Sequence, residues 1–380
     1  MKLKHILWGI VGLLAIGLAG FAGWVAMLPP PPAVAEQRPI AETETTATLA
    51  ALKPPKRERP VIAIIGINDA TEVTDFVMPY GILKRADVAD VFAVSTAEGA
   101  IDLYPALNVE PDMTVAEFDA AHPEGADYVI VPQMSRHDDA TALGWIKAQA
   151  EKGATVFGVC VGGTIVAKAG LLDGKRGTTH WFYADDMVEE HPTMTYVPNR
   201  RMVADERVAT TTGITASMPA MLTLIEAIAG RAKAEEVAAG LGMPQWDIRH
   251  DGGQFKFNRP FALTAMVNTV SVWDRETFGI KLTPNMDEVA LALVADAWAR
   301  TYLASVDTFA ASPEPVVSLG GLRILPDVTA ESWPENRLVP GLGSEPPAKA
   351  LDGALAAIET RYGNRTRDFV AFQLEYPKQN

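Results

Sequence analysis

The feature that most constrains this chain is the run Thr155-Val156-Phe157-Gly158-Val159, which leads straight into Cys160 and then Val161-Gly162. A short β-branched and aromatic run reads as a buried strand, and the residues from Val161 onward have helical spacing. Glycines on both sides of the cysteine permit a sharp turn without Cβ clashes. Gly-x-Cys-x-Gly is the thiol counterpart of the Gly-x-Ser-x-Gly elbow, which projects a nucleophile from a strand end. The amides opening the next helix, read as Val161–Ala169, are expected to lower the thiol pKa.

Similar short apolar runs stand at Val61–Ile65, Val91–Val94 and Tyr128–Pro132, with helical patterns at Val73–Lys84 and Ala140–Ala150 between them. The alternation predicts an α/β doubly wound, flavodoxin-like parallel sheet, whose site lies at the carboxyl ends of its strands. Cys160 falls there. It is the single cysteine of the 380-residue chain, so an internal disulfide and a thiolate zinc site are excluded. The six histidines are dispersed, and neither a phosphate loop nor His-Glu-x-x-His occurs. No metal and no cofactor is expected.

The amino terminus carries a different signal. Residues 6–28 contain no charged side chain and follow Lys2 and Lys4. As a helix the stretch is about 34 Å long, enough to cross a bilayer. It is read as a transmembrane helix with a cytoplasmic amino terminus and a periplasmic or extracellular globular part, anchored in a bacterial inner membrane. A cleaved signal peptide ending near Ala33-Val34-Ala35 is the alternative. The net charge is −14, and about −16 without the two amino-terminal lysines. An acidic, exported chain argues against nucleic acid as a partner. Residues 29–58, rich in proline and threonine, are read as a linker.

The stretch Cys160-Val-Gly-Gly-Thr-Ile-Val-Ala-Lys-Ala-Gly-Leu-Leu-Asp-Gly-Lys-Arg-Gly-Thr-Thr-His180-Trp181 resembles the ThiJ/PfpI superfamily, which has the class I glutamine amidotransferase-like fold. The likeness is strongest to the amidotransferase-like half of AraC-type regulators and to isonitrile hydratases. It continues through Asn199-Arg200-Arg201 and Thr210–Ala216, covering roughly residues 60–245. The resemblance implies catalytic roles for Cys160, for Asp75 in Thr74-Asp75-Phe76-Val77-Met78-Pro79, and for His180. Glu72 is the alternative acid. Backbone amides of Val161 and Met134 would hold an oxyanion. The family's Pro-Gly-Gly turn is here Pro132-Gln133-Met134, and Val161 replaces the threonine of isonitrile hydratases.

Residues 59–245 are therefore expected to form a ThiJ/PfpI-like domain. Residues 246–380 read as a degenerate second α/β unit, a half-repeat without a nucleophile. Four ordered echoes support this. Arg259–Leu263 matches Arg59–Ala63, Asp307–Ser312 matches Asp90–Ser95, Pro326–Thr329 matches Pro111–Thr114, and Val339-Pro340-Gly341 matches Val131-Pro132-Gln133. Helical spacing marks Asp287–Leu303. The function expected is a membrane-anchored, cofactor-free, cysteine-dependent hydrolase, hydratase or lyase acting on a small electrophile. A non-enzymatic ligand-binding or cysteine redox-sensing module is the alternative. Homodimerisation is left open.

Overall fold

The computed structural model describes residues 2–33, 37–340, 342–343 and 345–376. Val34 and Ala35 of the cleavage-site reading, and Gly341 of the last echo, lie outside them. Helices α1 (Lys2–Met27) and α2 (Glu42–Ala51) come first. The next elements are β1 (Val61–Gly66), β2 (Asp69–Glu72), α3 (Val73–Ala86), β3 (Asp90–Ser95), β4 (Ile101–Tyr104), β5 (Asn108–Glu110), β6 (Met113–Thr114) and α4 (Val115–Ala121). They continue with β7 (Tyr128–Val131), α5 (Ala140–Glu151), β8 (Thr155–Gly158), α6 (Gly162–Lys168), β9 (Arg176–Gly177) and α7 (Ala184–Glu190). Then come β10 (Thr195–Tyr196), β11 (Met202–Asp205), β12 (Val208–Thr211), α8 (Ser217–Ala229) and α9 (Arg231–Gly240). The remainder holds α10 (Arg259–Val270), β13 (Glu276–Lys281), α11 (Glu288–Ala299), β14 (Ala304–Ala310), β15 (Val316–Val317), β16 (Arg323–Leu325), β17 (Val328–Thr329), α12 (Pro347–Tyr362) and α13 (Asn364–Gln373).

The main sheet has seven strands in the order β11-β12-β8-β7-β1-β3-β6, and only β11 runs antiparallel to its neighbour. All six residues of β1 are buried, as a strand covered on both faces must be. One face packs beneath α3, α8 and α11, with Phe76, Leu83, Leu224 and Trp298 in a single apolar cluster. The other face lies under α5 and α6, around Phe118, Trp145 and Ile146. A three-stranded sheet β13-β14-β17 belongs to the carboxyl-terminal part. A five-stranded sheet, β15-β16-β5-β4-β2, joins strands from both parts of the chain.

Several sequence expectations need correction. Among the described residues no helix is long and apolar enough to cross a membrane. The transmembrane helix at 6–28, the membrane anchoring and the periplasmic or extracellular placement that rested on it therefore do not stand. The uncharged run forms α1, but the end of α1 is engaged by protein. Arg259 donates to the carbonyls of Val25, Ala26 and Leu28, and the rings of Trp24 and Phe257 pack 6.1 Å apart. The segment read as a linker is also partly folded. Within it α2 packs against α8 and β11, Glu44 pairs with Arg200 at 2.6 Å, and Leu52 is buried. The amides of Lys56 and Arg57 both donate to Asp127, whose other oxygen takes the amide of Val61. Finally, Arg259–Leu263, matched in sequence to a strand, opens α10. Asn258 caps that helix by accepting from the Phe261 amide, and Pro260 stands in its first turn.

The glycines around Cys160 meet a steric demand. A Cβ on Gly162 would lie 1.9 Å from the carbonyl oxygen of Val131, and one on Gly158 would lie 2.8 Å from the backbone of Gly163. Helix α6 thus approaches β7 and β8 more closely than a side chain allows. Gly162→Ala is expected to destabilise the fold by about 3 kcal/mol, read as a lowered denaturant midpoint with an unchanged slope. An unchanged midpoint would contradict this packing.

Candidate active site

Cys160 sits between β8 and α6 with a φ of 55°, a left-handed conformation for a non-glycine residue. Such strain persists only where the surroundings fix it. Here the Cys160 amide donates to Thr211 Oγ1 at 2.9 Å, and the Cys160 carbonyl accepts from Thr179 Oγ1 at 3.1 Å. The side chain is buried at 3% exposure. The expected lowering of the thiol pKa is not what the structure gives. Burial pushes the Cys160 thiol well up, and the charges of Asp75, Glu72 and Glu375 push it further, against a smaller opposing effect of Arg300. The partial charge at the start of a seven-residue helix is outweighed by desolvation.

Asp75 lies in the first turn of α3 and is fully buried. Its Oδ2 accepts from the Gln133 amide at 3.2 Å, and its Oδ1 has no hydrogen-bond partner. Burial raises the carboxyl pKa well above its ordinary value, and the neighbouring Glu72 carboxylate adds to the effect. Asp75 therefore carries a proton under conditions where an exposed aspartate has none.

Glu72 plays a different part. It is the N-cap of α3, accepting from the Asp75 amide at 2.6 Å and from Thr74 Oγ1 at 2.8 Å. Its Oε1 pairs with Arg300 Nη2 at 2.8 Å. Three donors thus converge on its two oxygens. Arg300 also grips Asp296 through Nε at 2.7 Å, and Asp296 is itself raised by burial.

His180 is close by, but both ring nitrogens are engaged elsewhere. Nε2 lies 3.0 Å from the carbonyl of Gln373, and Nδ1 accepts from the Phe182 amide at 3.2 Å. Burial holds its pKa down, so the ring is neutral and Nε2 is the donor. Among the described residues no hydrogen bond joins it to Cys160. The amides of Val161 and Met134 are taken by no backbone acceptor among the described residues, whereas the Gln133 amide beside them is spent on Asp75.

Sequence reasoning misses the residues that close the site. Glu375, in a left-handed conformation with φ 51°, accepts from the Trp181 amide at 3.0 Å and lies 3.1 Å from His250 Nε2. Tyr183 interacts electrostatically with Cys160 and Tyr104, and Tyr302 with Tyr104, Arg300 and Tyr183, after burial as the main cause of each raised pKa. Tyr183 is thus within electrostatic reach of the thiol, and Tyr104 and Tyr302 are within reach of Tyr183. Arg300, Tyr302 and Glu375 lie far along the chain, where motif spacing gives no signal.

Burial would raise Glu375, but His250, His180 and the Trp181 amide prevail and bring it to about 2. A folded-state pKa below the unfolded value gives stability that is present above about pH 4.5 and lost as pH falls towards about 2. Glu375→Gln is expected to flatten the acid side of the stability–pH curve, removing about 3 kcal/mol of its pH dependence. Denaturant titration at several acidic pH values measures this, and a curve of unaltered slope would contradict it.

Comparison with known proteins finds similarity over part of the chain. Residues 61–227 match the model of the DJ-1/PfpI family. An isonitrile hydratase of Pseudomonas putida is 39% identical over 94 residues, which are 24% of this chain and 40% of that protein. The chain thus spans well under half the length of that relative. Protein dj-1beta of Drosophila melanogaster is 23% identical over 184 residues, 47% of this chain and 95% of that protein. The transcriptional regulator CdhR of Pseudomonas aeruginosa, described as HTH-type, is 34% identical over 25% of this chain and 28% of its own length. The crystal structure of Drosophila DJ-1beta aligns with a TM-score of 0.44 at 21% identity, over 49% of this chain and 98% of that one. The segment 61–227, with Cys160 at its elbow, is thus similar to the DJ-1/PfpI family.

Proposed function

We propose that the protein is a cysteine-based enzyme acting on a small carbon electrophile, with Cys160 as nucleophile and Asp75 as proton relay. The observation that supports this most is a strained, buried thiol within electrostatic reach of a buried carboxyl whose pKa burial raises and whose Oδ1 has no hydrogen-bond partner. A neutral thiol adds poorly to carbon unless its proton leaves as the bond forms. Asp75 meets that need through both oxygens. One carboxyl oxygen takes the thiol proton while the other delivers a proton to the substrate heteroatom, and Asp75 ends neutral, as it began. Sulfur is then bonded to carbon; water adds at that carbon, the carbon–sulfur bond breaks, and the proton given up by the water returns to the sulfur through Asp75. The Val161 and Met134 amides steady charge building on the heteroatom. His180 joins the relay once its bond to Gln373 opens.

One observation favours a second reading, a cysteine redox sensor. The Gln133 amide is consumed by Asp75, which leaves fewer donors for an oxyanion. Peroxide treatment followed by intact mass separates the readings. Formation of a stable sulfinic acid at Cys160, without turnover of any small electrophile, would favour the sensor.

The enzyme reading predicts that iodoacetamide alkylation of Cys160 follows a pH profile displaced upward from the ordinary thiol value of about 8.5. Asp75→Asn leaves that profile displaced, because burial, the main cause of the displacement, remains. The same variant lowers turnover of a responsive substrate by about 100-fold or more, since the relayed proton is lost. An ordinary profile in the wild type, or a turnover that Asp75→Asn leaves unchanged, would refute the pairing.

A further inference from the structure

The carboxyl-terminal part repeats the first strands, helix and turns at one constant spacing in the chain. Ala70 and Asn285 both have positive φ, 55° and 61°, and so do Asp87 and Tyr302, at 49° and 62°. Glu72 caps α3 by accepting from the Asp75 amide, and Asp287 caps α11 by accepting from the Ala290 amide. The Leu103 amide donates to the Leu107 carbonyl, and the Ser318 amide to the Leu322 carbonyl, each at 2.9 Å. Asp112 Oδ2 takes the Ala93 amide and Asp327 Oδ2 takes the Thr308 amide, each at 2.7 Å. Val94 pairs with Met113 as Phe309 pairs with Val328, and Ile101 with Val109 as Val316 with Ile324. Every one of these residue pairs is 215 positions apart in the sequence. The echo of Pro111–Thr114 in Pro326–Thr329 has the same spacing.

The contacts between the two parts follow the same rule. Strands β5 and β16 pair antiparallel, with Val109 opposite Ile324, Asn108 opposite Leu325 and Glu110 opposite Arg323. Val109 thus faces its own counterpart, and its two neighbours exchange places. Arg85 pairs with Asp287 at 2.9 Å, and its counterpart Arg300 pairs with Glu72, the counterpart of Asp287, at 2.8 Å. Reciprocal contacts of this kind define an isologous, twofold interface.

We propose that residues 276–329 are a second copy of residues 61–114, related to the first by an internal twofold axis between Val109 and Ile324, and that this copy supplies Arg300 to position Glu72 against Asp75 and Cys160. The chain thereby carries within itself the surface that a homodimer would otherwise provide. The two ion pairs are equivalent by symmetry but not by surroundings. Arg300 faces Glu72 and Asp75 on α3, and Asp296 on its own helix, with Cys160, Tyr183, His180, His250 and Glu375 beyond them. Arg85 faces Asp287 and Glu288 of α11. The second copy holds the arginine but not the acid: the position matching Asp75 is Ala290. This rests on the proposed reactivity of Cys160 only for its effect on the thiol. The twofold relation stands apart from it.

The experiment compares Arg300→Gln with Arg85→Gln in the full chain. Arg300→Gln is expected to raise the pH at which Cys160 is alkylated by about one unit, a roughly tenfold loss of rate near neutral pH. Arg300→Lys restores most of that rate, because the charge is kept. Arg85→Gln is expected to lower the melting temperature comparably and to leave the alkylation profile in place. Equal profiles in Arg300→Gln and Arg85→Gln would overturn the positioning role. Double-mutant cycles on Arg300–Glu72 and on Arg85–Asp287, read by denaturant unfolding, test the twofold relation without using the thiol. Similar coupling in both cycles is expected, and coupling in one alone overturns it. If Arg300→Gln does not fold, the Arg300→Lys and Glu72→Gln variants carry the thiol comparison.

Discussion

Glu72, Asp75 and Asp296 are buried around one guanidinium, that of Arg300. Three carboxylates cannot all stay ionised in a low-dielectric interior beside a single cation. Glu72 takes Arg300 together with the Asp75 amide and the Thr74 hydroxyl. Burial raises the Asp75 carboxyl, the neighbouring Glu72 adds to the effect, and the thiol of Cys160 is within electrostatic reach of both. The protonation state of the site is thus set by which acid Arg300 binds best. That residue arrives from the far part of the chain.

The same arrangement explains why the thiol does not behave as its position at an elbow suggests. A helix start favours a thiolate by a modest amount, and its effect falls off within one turn. Removing the sulfur from water costs more, and the surrounding carboxylates add to that cost. The product is a thiol that keeps its proton until a substrate takes it. The Gly158–Gly162 turn fixes where the sulfur lies, and the acids fix when it reacts.

Much of the first sheet was legible in the sequence. Continuous apolar runs at Val61–Ile65 and Thr155–Val159 mark strands covered on both faces, and the glycines flanking Cys160 mark the turn that they force. The amino-terminal run was legible only as an uncharged helix. Absence of charge does not say what covers a helix, and Arg259 and Phe257 meet the end of α1. The Arg-Pro-Phe-Ala-Leu stretch at 259–263 has the composition of a strand start, but Asn258 before it is a helix cap. Residues 42–51 lack a strong apolar period, and a few buried side chains still dock them. The closing residues Arg300, Tyr302 and Glu375 were not legible at all, because tertiary packing alone brings them to Cys160. The 215-residue spacing joining Arg85 to Arg300 is present in the sequence, but few residues along it are identical. Shared turns and caps reveal it where composition does not.

The most direct test of the account is the infrared difference spectrum between the wild-type protein and Asp75→Asn at neutral pH. The account predicts a protonated-carboxyl carbonyl band in the wild type that the substitution removes. A wild-type spectrum in which Asp75 contributes only carboxylate bands would contradict it.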